Sequence, residues 1–403
     1  MSAQWSVFWL ALTFGFHIAM VNLGIFLALI VPYLKWRADK NGDAGLDKVA
    51  YKLMRFYAAT YGIAGVFATA YTVFLLSFYP IFLGAAGNIA LVPFGLAILM
   101  IVVHFFSIAT FYYGWNRFSR PVHHTIGALL ALSSLLIPLG FRAVFAFLNI
   151  PVGLHFENGK LTLHVTEALG NPTLLPLYLK SIVAAITAGS IAVIGGLAYS
   201  YVRSDDSEYK AAIEKIMPFL GKTAATGLVL MFFLGLWYAL SLRAIPYKFN
   251  NVFASLGWKA GDGTVSYNVA WLFVLKMIFY VFQIYVIMTV YKFLKQRQVP
   301  IEKAPLLLFT GLIALSTVIF GEYLNAFSQY PYFIACLGSP ANCKPLQNLP
   351  PNVVQQLAPA LDLRNVNELA VVGGVKALTT VFMIFLLASA IYFFYAVFIK
   401  EEK

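Results

Sequence analysis

Charge is what this sequence has least of. Only 11% of its 403 residues are Asp, Glu, Lys or Arg, against 61% hydrophobic ones. A soluble domain carries roughly 25% charge, so a water-facing globular fold is excluded. Strict polar/apolar alternation is also scarce, which argues against a membrane β-barrel. Two cysteines are too few for a disulfide-built scaffold or a cysteine-rich metal cluster. The N-terminus lacks a basic start, and its first apolar stretch is too long for the h-region of a cleavable signal.

What remains is long apolar runs. Nine reach the ~20 residues that an α-helix needs to cross ~30 Å of hydrocarbon: 5–33, 52–79, 88–115, 125–148, 174–202, 216–243, 268–293, 304–327 and 372–398. The expected fold is an all-α polytopic membrane protein, one domain of about nine transmembrane helices without internal repeats. The net charge of +12 is distributed unevenly. With the N-terminus outside, the connections 34–55, 116–124, 203–222 and 292–303 and the C-terminal "KEEK" are cytoplasmic and hold 18 of the 28 Lys and Arg. That asymmetry follows the positive-inside rule and suits anionic inner-leaflet lipid. It needs no nucleic-acid partner, and runs such as "KWRADKNGD" read as solvated flanks.

Two connections are more than turns. Residues 149–173 contain "ENGK", a turn signal between short alternating segments, and predict a structured outer loop. Residues 329–371 predict a second outer loop holding Cys336 and Cys343, as a disulfide or as two free thiols.

Ionisable groups inside the spans carry the chemistry, because each costs at least ~2.5–3.5 kcal/mol at a helix centre. Of 16 acidic residues only Glu322, in "TVIFGEYLNAFSQYPYF", falls within a span. It reads as a ligand or proton carrier, or as a carboxyl hydrogen-bonded to a neighbouring helix. His17 and His104 lie inside the first and third spans, where imidazole serves as a core group or as a heme ligand. Lys180 and Lys276 lie within the fifth and seventh spans; Lys180 either snorkels or pairs with an acid. Met277 is bundle filler or an axial thioether. His123, His124, His155 and His164 fall in connections and read as solvated.

In order and spacing these residues resemble a known family. "FYYGWNRFSRPVHHTIGALLALSS", then "GKLTLHVTEALGNP", together with "HIAMVNLGIFLAL", "YGIAGVFATAY" and a Glu near the outer end of the eighth span, is similar to subunit I of the cytochrome bd-type quinol oxidases. The resemblance implies a subunit of a quinol:oxygen oxidoreductase in the plasma membrane of a prokaryote, with heme b and/or heme d, O2 and a second membrane subunit. It implies that His17 and Glu322 ligate heme iron, that Met277 is an axial ligand of the low-spin heme, and that catalysis involves Glu322 and His104. Departures accompany it. Lys180 stands where the family has a second low-spin ligand, a His. Leu96 and His104 stand at two family glutamates, so His104 is a further candidate iron ligand.

The connection between the sixth and seventh spans, quinol-binding in the family, is only about 25 residues long, and "LNAFSQYPY" lacks the family's Arg. Quinol is therefore expected at the partner. Two alternatives stay open: a paralogous scaffold subunit without a full heme set, and a transporter using Glu322 and Lys180 as pathway charges.

Overall fold

The computed structural model describes residues 2–80, 91–367 and 373–395. The start of the third span, the end of the 329–371 loop and both ends of the ninth span lie outside the described residues, as does the whole of the C-terminal "KEEK". Among the described residues, nine helices are long and apolar enough to cross a membrane. They are α1 (Ser2–Asn41), α2 (Ala44–Phe78), α3 (Leu91–Tyr113), α4 (Arg120–Asn149), α6 (Leu174–Arg203), α7 (Ser207–Ser241), α9 (Ala270–Lys295), α10 (Ala304–Phe327) and α13 (Gly373–Tyr395). The expected fold class is met.

Several helices run past the hydrocarbon-length segments. α1 continues to Asn41, Gly42 takes φ +63°, and Asp43 caps α2 by accepting from the Leu46 backbone N–H at 3.0 Å. The 34–55 stretch is thus two helix ends around a tight turn; Trp36, Lys40, Asn41 and Gly42 of "KWRADKNGD" are exposed, as expected of a solvated flank, and Lys35 is the charged exception. Lys35 within it is buried, 2.8 Å from Asp47 and 3.0 Å from Asp39, with its ammonium over the Trp115 ring. His123 is likewise not solvated: its ring stacks on Phe111 at 4.0 Å and its Nε2 bonds the Phe111 carbonyl. Lys35 and His123 depart from the expectation for one reason. Charge in a connection marks exposure only when no neighbouring helix extends over it.

The "ENGK" signal is met. Strands β1 (Leu154–Glu157) and β2 (Lys160–Leu163) pair antiparallel, with Glu157 opposite Lys160 and His155 opposite Thr162. Asn158 and Gly159 take φ +51° and +78°, the two-residue turn that matches strand twist. A short helix, α5 (Val165–Ala168), leads back towards α6. Asn171 ties this loop down, donating to the carbonyls of Ala146 and Ile150 at the end of α4. At the same end of the molecule lie α8 (Pro246–Phe253), α11 (Lys344–Gln347), α12 (Pro351–Ala360) and the Cys336–Cys343 disulfide.

Helix α1 is the axle of the bundle, packing against α2, α4, α6 and α10. The interior divides into two apolar cores. One, towards the Lys35 end, includes Leu27, Tyr57, Ile191, Leu220 and Leu307. The other, towards the disulfide end, includes Leu10, Phe67, Phe147, Leu177 and Tyr238. Between them, on α4, α6 and α10, stand Arg142, Lys180 and Glu322.

The Lys35 site gives a test of buried against exposed charge. Lys35→Ala removes the cation held between two carboxylates and is expected to cost on the order of 3 kcal/mol. Lys48→Ala removes an exposed ion pair to Asp206 and Glu208 and should cost at most about 1 kcal/mol. Thermal unfolding of the detergent-solubilised variants measures both; equal losses would contradict the burial argument.

Candidate functional site

Glu322 is buried on α10 and meets Arg142 of α4 face to face. Arg142 donates from Nη1 to Oε2 at 2.9 Å and from Nη2 to Oε1 at 2.6 Å. A planar guanidinium against a carboxylate is the pairing in which both charges keep two strong bonds. It joins helices 180 residues apart in sequence. The arginine is absent from the sequence-based candidates, although "PLGFRAVF" places it well inside a span. Its position among apolar residues was the available signal.

One carboxylate does not balance this region. Lys180 and Lys276 line a cavity with Glu322, and Asn22, Gln283 and Thr317 extend the cavity towards the Lys35 end. Lys180 is buried, with its Nζ 4.5 Å over the Tyr238 ring. The Tyr238 hydroxyl donates to Asn325 at 2.6 Å and accepts from Asn149 at 3.3 Å. Lys248 of α8 closes the network, fully buried, donating to Asn149 at 2.6 Å and to Gln329 at 2.8 Å. Burial, with the Lys180 charge nearby, holds the Lys248 amine well below the usual lysine range. The amide behind Glu322 in "SQYPY" therefore has a partner: Gln329 receives a buried lysine.

The two histidines are placed differently. His17 Nδ1 bonds the Ala64 carbonyl at 2.9 Å, and its Nε2 has no hydrogen-bond partner among the described residues. A ring fixed in this way presents one nitrogen lone pair, the arrangement metal-ligating histidines adopt. Nearby, Gly15 leaves room for the Tyr323 hydroxyl to pass and donate to the Ala11 carbonyl at 2.5 Å, which locks α10 to α1. His104 has both nitrogens engaged, Nε2 with Tyr57 at 2.5 Å and Nδ1 with Ser133 at 2.8 Å. Tyr57 lies seven residues from Ala64 along α2, so His104 sits about 10 Å from the level of His17. The structure brings Glu322, Lys180 and Lys276 to one cavity and leaves His104 apart from them. Met277 does not line the cavity; its neighbour Lys276 shares the cavity face with Tyr280 and Gln283.

Comparison with known proteins accords with this architecture. The family model for cytochrome bd terminal oxidase subunit I matches residues 5–252. The chain belongs to that family. A Bacillus subtilis (strain 168) protein named as a cytochrome bd menaquinol oxidase subunit I is 23% identical over 197 residues, which cover 49% of this chain and 44% of that protein. The aligned part is thus less than half of the relative's length. The bd oxidase structure from Geobacillus thermodenitrificans superposes with a TM-score of 0.71 at 16% identity, covering 98% of both chains. That likeness is one of fold. The family match includes His17, His104, Arg142 and Lys180 and stops short of Met277 and Glu322.

Bd-type oxidases are heme-containing, and the hydrogen bonds test whether these residues fit such a group. His17 fits as an iron ligand, with one nitrogen anchored and one presented. The Glu322 cavity fits less well. Iron ligation by Glu322 has to open its pair with Arg142, and ligation by His104 has to break a bond to Tyr57 or Ser133. Lys180 and Lys276 bring two amines to the cavity beside Glu322, and Met277 is not among its lining residues.

The Arg142–Glu322 pair is testable without any cofactor. Arg142→Met leaves a buried carboxylate unpaired and is expected to cost about 3–5 kcal/mol. Arg142→Met with Glu322→Leu removes both charges and should recover much of that loss. Thermal unfolding of both singles and the double gives the coupling energy; additive losses would mean the two side chains do not act as a pair.

Proposed function

We propose that this chain is the heme-binding integral membrane subunit of a bd-type terminal oxidase, taking part in electron transfer from quinol to O2. Family membership and the free Nε2 of His17 support the reading, and His17 carries it. A heme held by His17 would supply the one-electron and O2 chemistry of such an oxidase. The Ala64 carbonyl fixes the ring of His17 and raises its basicity as a ligand. Lys180 and Lys276 suit the anionic carboxylates at a heme's edge better than its iron. Arg142 occupies both oxygens of Glu322, so the carboxylate is available as a second ligand or proton acceptor only when that pair opens. His104, between Tyr57 and Ser133, is better built to pass a proton along a hydrogen-bonded chain than to bind metal.

The partner follows from what the cavity omits. Quinol and the low-spin heme are assigned to a second membrane subunit, because Lys180 replaces the imidazole and Met277 faces elsewhere. Heme type, b or d, depends on macrocycle chemistry and not on these ligands. The chain is placed in the plasma membrane of a prokaryote, with the disulfide end outside and the Lys35 end against anionic lipid. In that orientation the 149–173 and 329–371 connections are structured outer loops.

A pyridine hemochrome assay and a redox difference spectrum of the detergent-purified chain, alone and with its partner, test the proposal. Heme is expected in the chain itself, with its high-spin signal lost in His17→Ala and shifted in Glu322→Gln. Heme-free protein would refute the oxidase reading for this chain. An unchanged spectrum in both variants would refute the ligand assignment.

A further inference from the structure

The loop between α4 and α6 contains a group that the membrane chemistry does not use. His155 and Glu157 point to one face of β1, because residues two apart in a strand share a face. His155 pairs with Thr162, and His164 follows Thr162 by two, so the imidazoles are diagonal neighbours on that face. Their rings stack with centroids 4.1 Å apart. Glu167, one turn into α5 from His164, brings a carboxylate back over both. Its Oε2 lies 2.9 Å from His155 Nε2 and its Oε1 lies 3.2 Å from His164 Nδ1. One donor atom from each of the three residues falls within 4.8 Å of the other two. On the far side of the ring, His164 Nε2 is 3.2 Å from Glu157 Oε1.

We propose that His155, His164 and Glu167 form a binding site for a divalent transition-metal ion of the Zn2+ class. Two imidazole nitrogens and a carboxylate oxygen are a zinc donor set, with bonds of about 2.0–2.2 Å, so neighbouring donors on a tetrahedral ion lie about 3.3 Å apart. The nitrogen–oxygen separations here already approach that spacing. Glu157 completes the arrangement: accepting from His164 Nε2–H, it leaves Nδ1 as the ligating atom, the carboxylate–histidine–metal relay that orients ligands. The backbone preorganises the set. The Asn158–Gly159 turn fixes the register, and Gly153 (φ +82°) sits where a Cβ would collide with the His164 carbonyl, so the chain passes close at that point. Exposed ion pairs are worth at most about 1 kcal/mol, so the carboxylates alone do not explain two stacked imidazoles.

The three ligands keep about a third to a half of their side-chain surface in water, which gives an ion a route in. Three protein donors leave a fourth position for water. The bound ion staples β1 to α5 and so rigidifies the loop. Nothing in this site depends on heme, and the test is separate from the one above.

Untagged full-length chain, or its complex with the partner subunit, is titrated with ZnCl2 by isothermal calorimetry in detergent, and zinc X-ray absorption is recorded on the loaded protein. One site per chain is expected, with two imidazoles among light-atom ligands at about 2.0–2.1 Å. His155→Ala and His164→Ala should each abolish that site, and Glu157→Gln should weaken it about 10–100-fold. Elution volume and heme content, unchanged in all three variants, separate lost binding from misfolding. Absence of a stoichiometric site in the parent chain, or its survival in His155→Ala, overturns the proposal. Should one alanine variant misfold, the Glu157→Gln affinity and the imidazole count in the parent still decide it.

Discussion

A single buried ion pair sets the terms for the interior. Glu322 and Arg142 meet across α10 and α4 with both oxygens and two guanidinium nitrogens engaged. In hydrocarbon neither charge is tolerable alone, so the two helices are held in one relative register. The pair lies where the two apolar cores adjoin, and the polar residues of the bundle gather round it. Lys180, Lys276 and Lys248 stand nearby, with Tyr238, Asn149, Asn325 and Gln329 as their neutral partners. Basic side chains outnumber carboxylates here, and that imbalance gives the site its character.

That character divides the bundle's chemistry by position. His17 presents a nitrogen from α1, anchored by a backbone carbonyl of α2. His104 lies deeper towards the Lys35 end and is fully occupied by Tyr57 and Ser133. Family membership and this division are compatible. The fold is shared with a bd oxidase chain at 16% identity.

The disulfide end follows different rules, because water is available there. Asn171 and the Asn158–Gly159 turn fix the loop through backbone bonds, and the Cys336–Cys343 disulfide and short helices α8, α11 and α12 cover the adjacent bundle end. The loop histidines meet carboxylates that the bundle interior largely excludes. Lys248 shows the boundary between the two regimes: it belongs to a connection by sequence, yet it is buried against the membrane cluster.

Sequence alone determined the membrane-spanning class, the nine spans, the hairpin turn and the singular status of Glu322. These are local properties: a 20-residue apolar run or an Asn-Gly turn needs no distant partner to be recognised. His17, Lys180 and Lys276 were also legible, because any ionisable group in a span is costly. Tertiary structure decided the rest. It showed that Glu322 is spent on Arg142, that His104 is saturated, that Met277 leaves the cavity, and that Lys35 and His123 are buried under neighbouring helix ends. Each of those outcomes depends on which helix faces which. In a nearly all-apolar bundle, hydropathy fixes that each helix lies in the membrane and leaves its rotation and neighbours to side-chain packing across the interface.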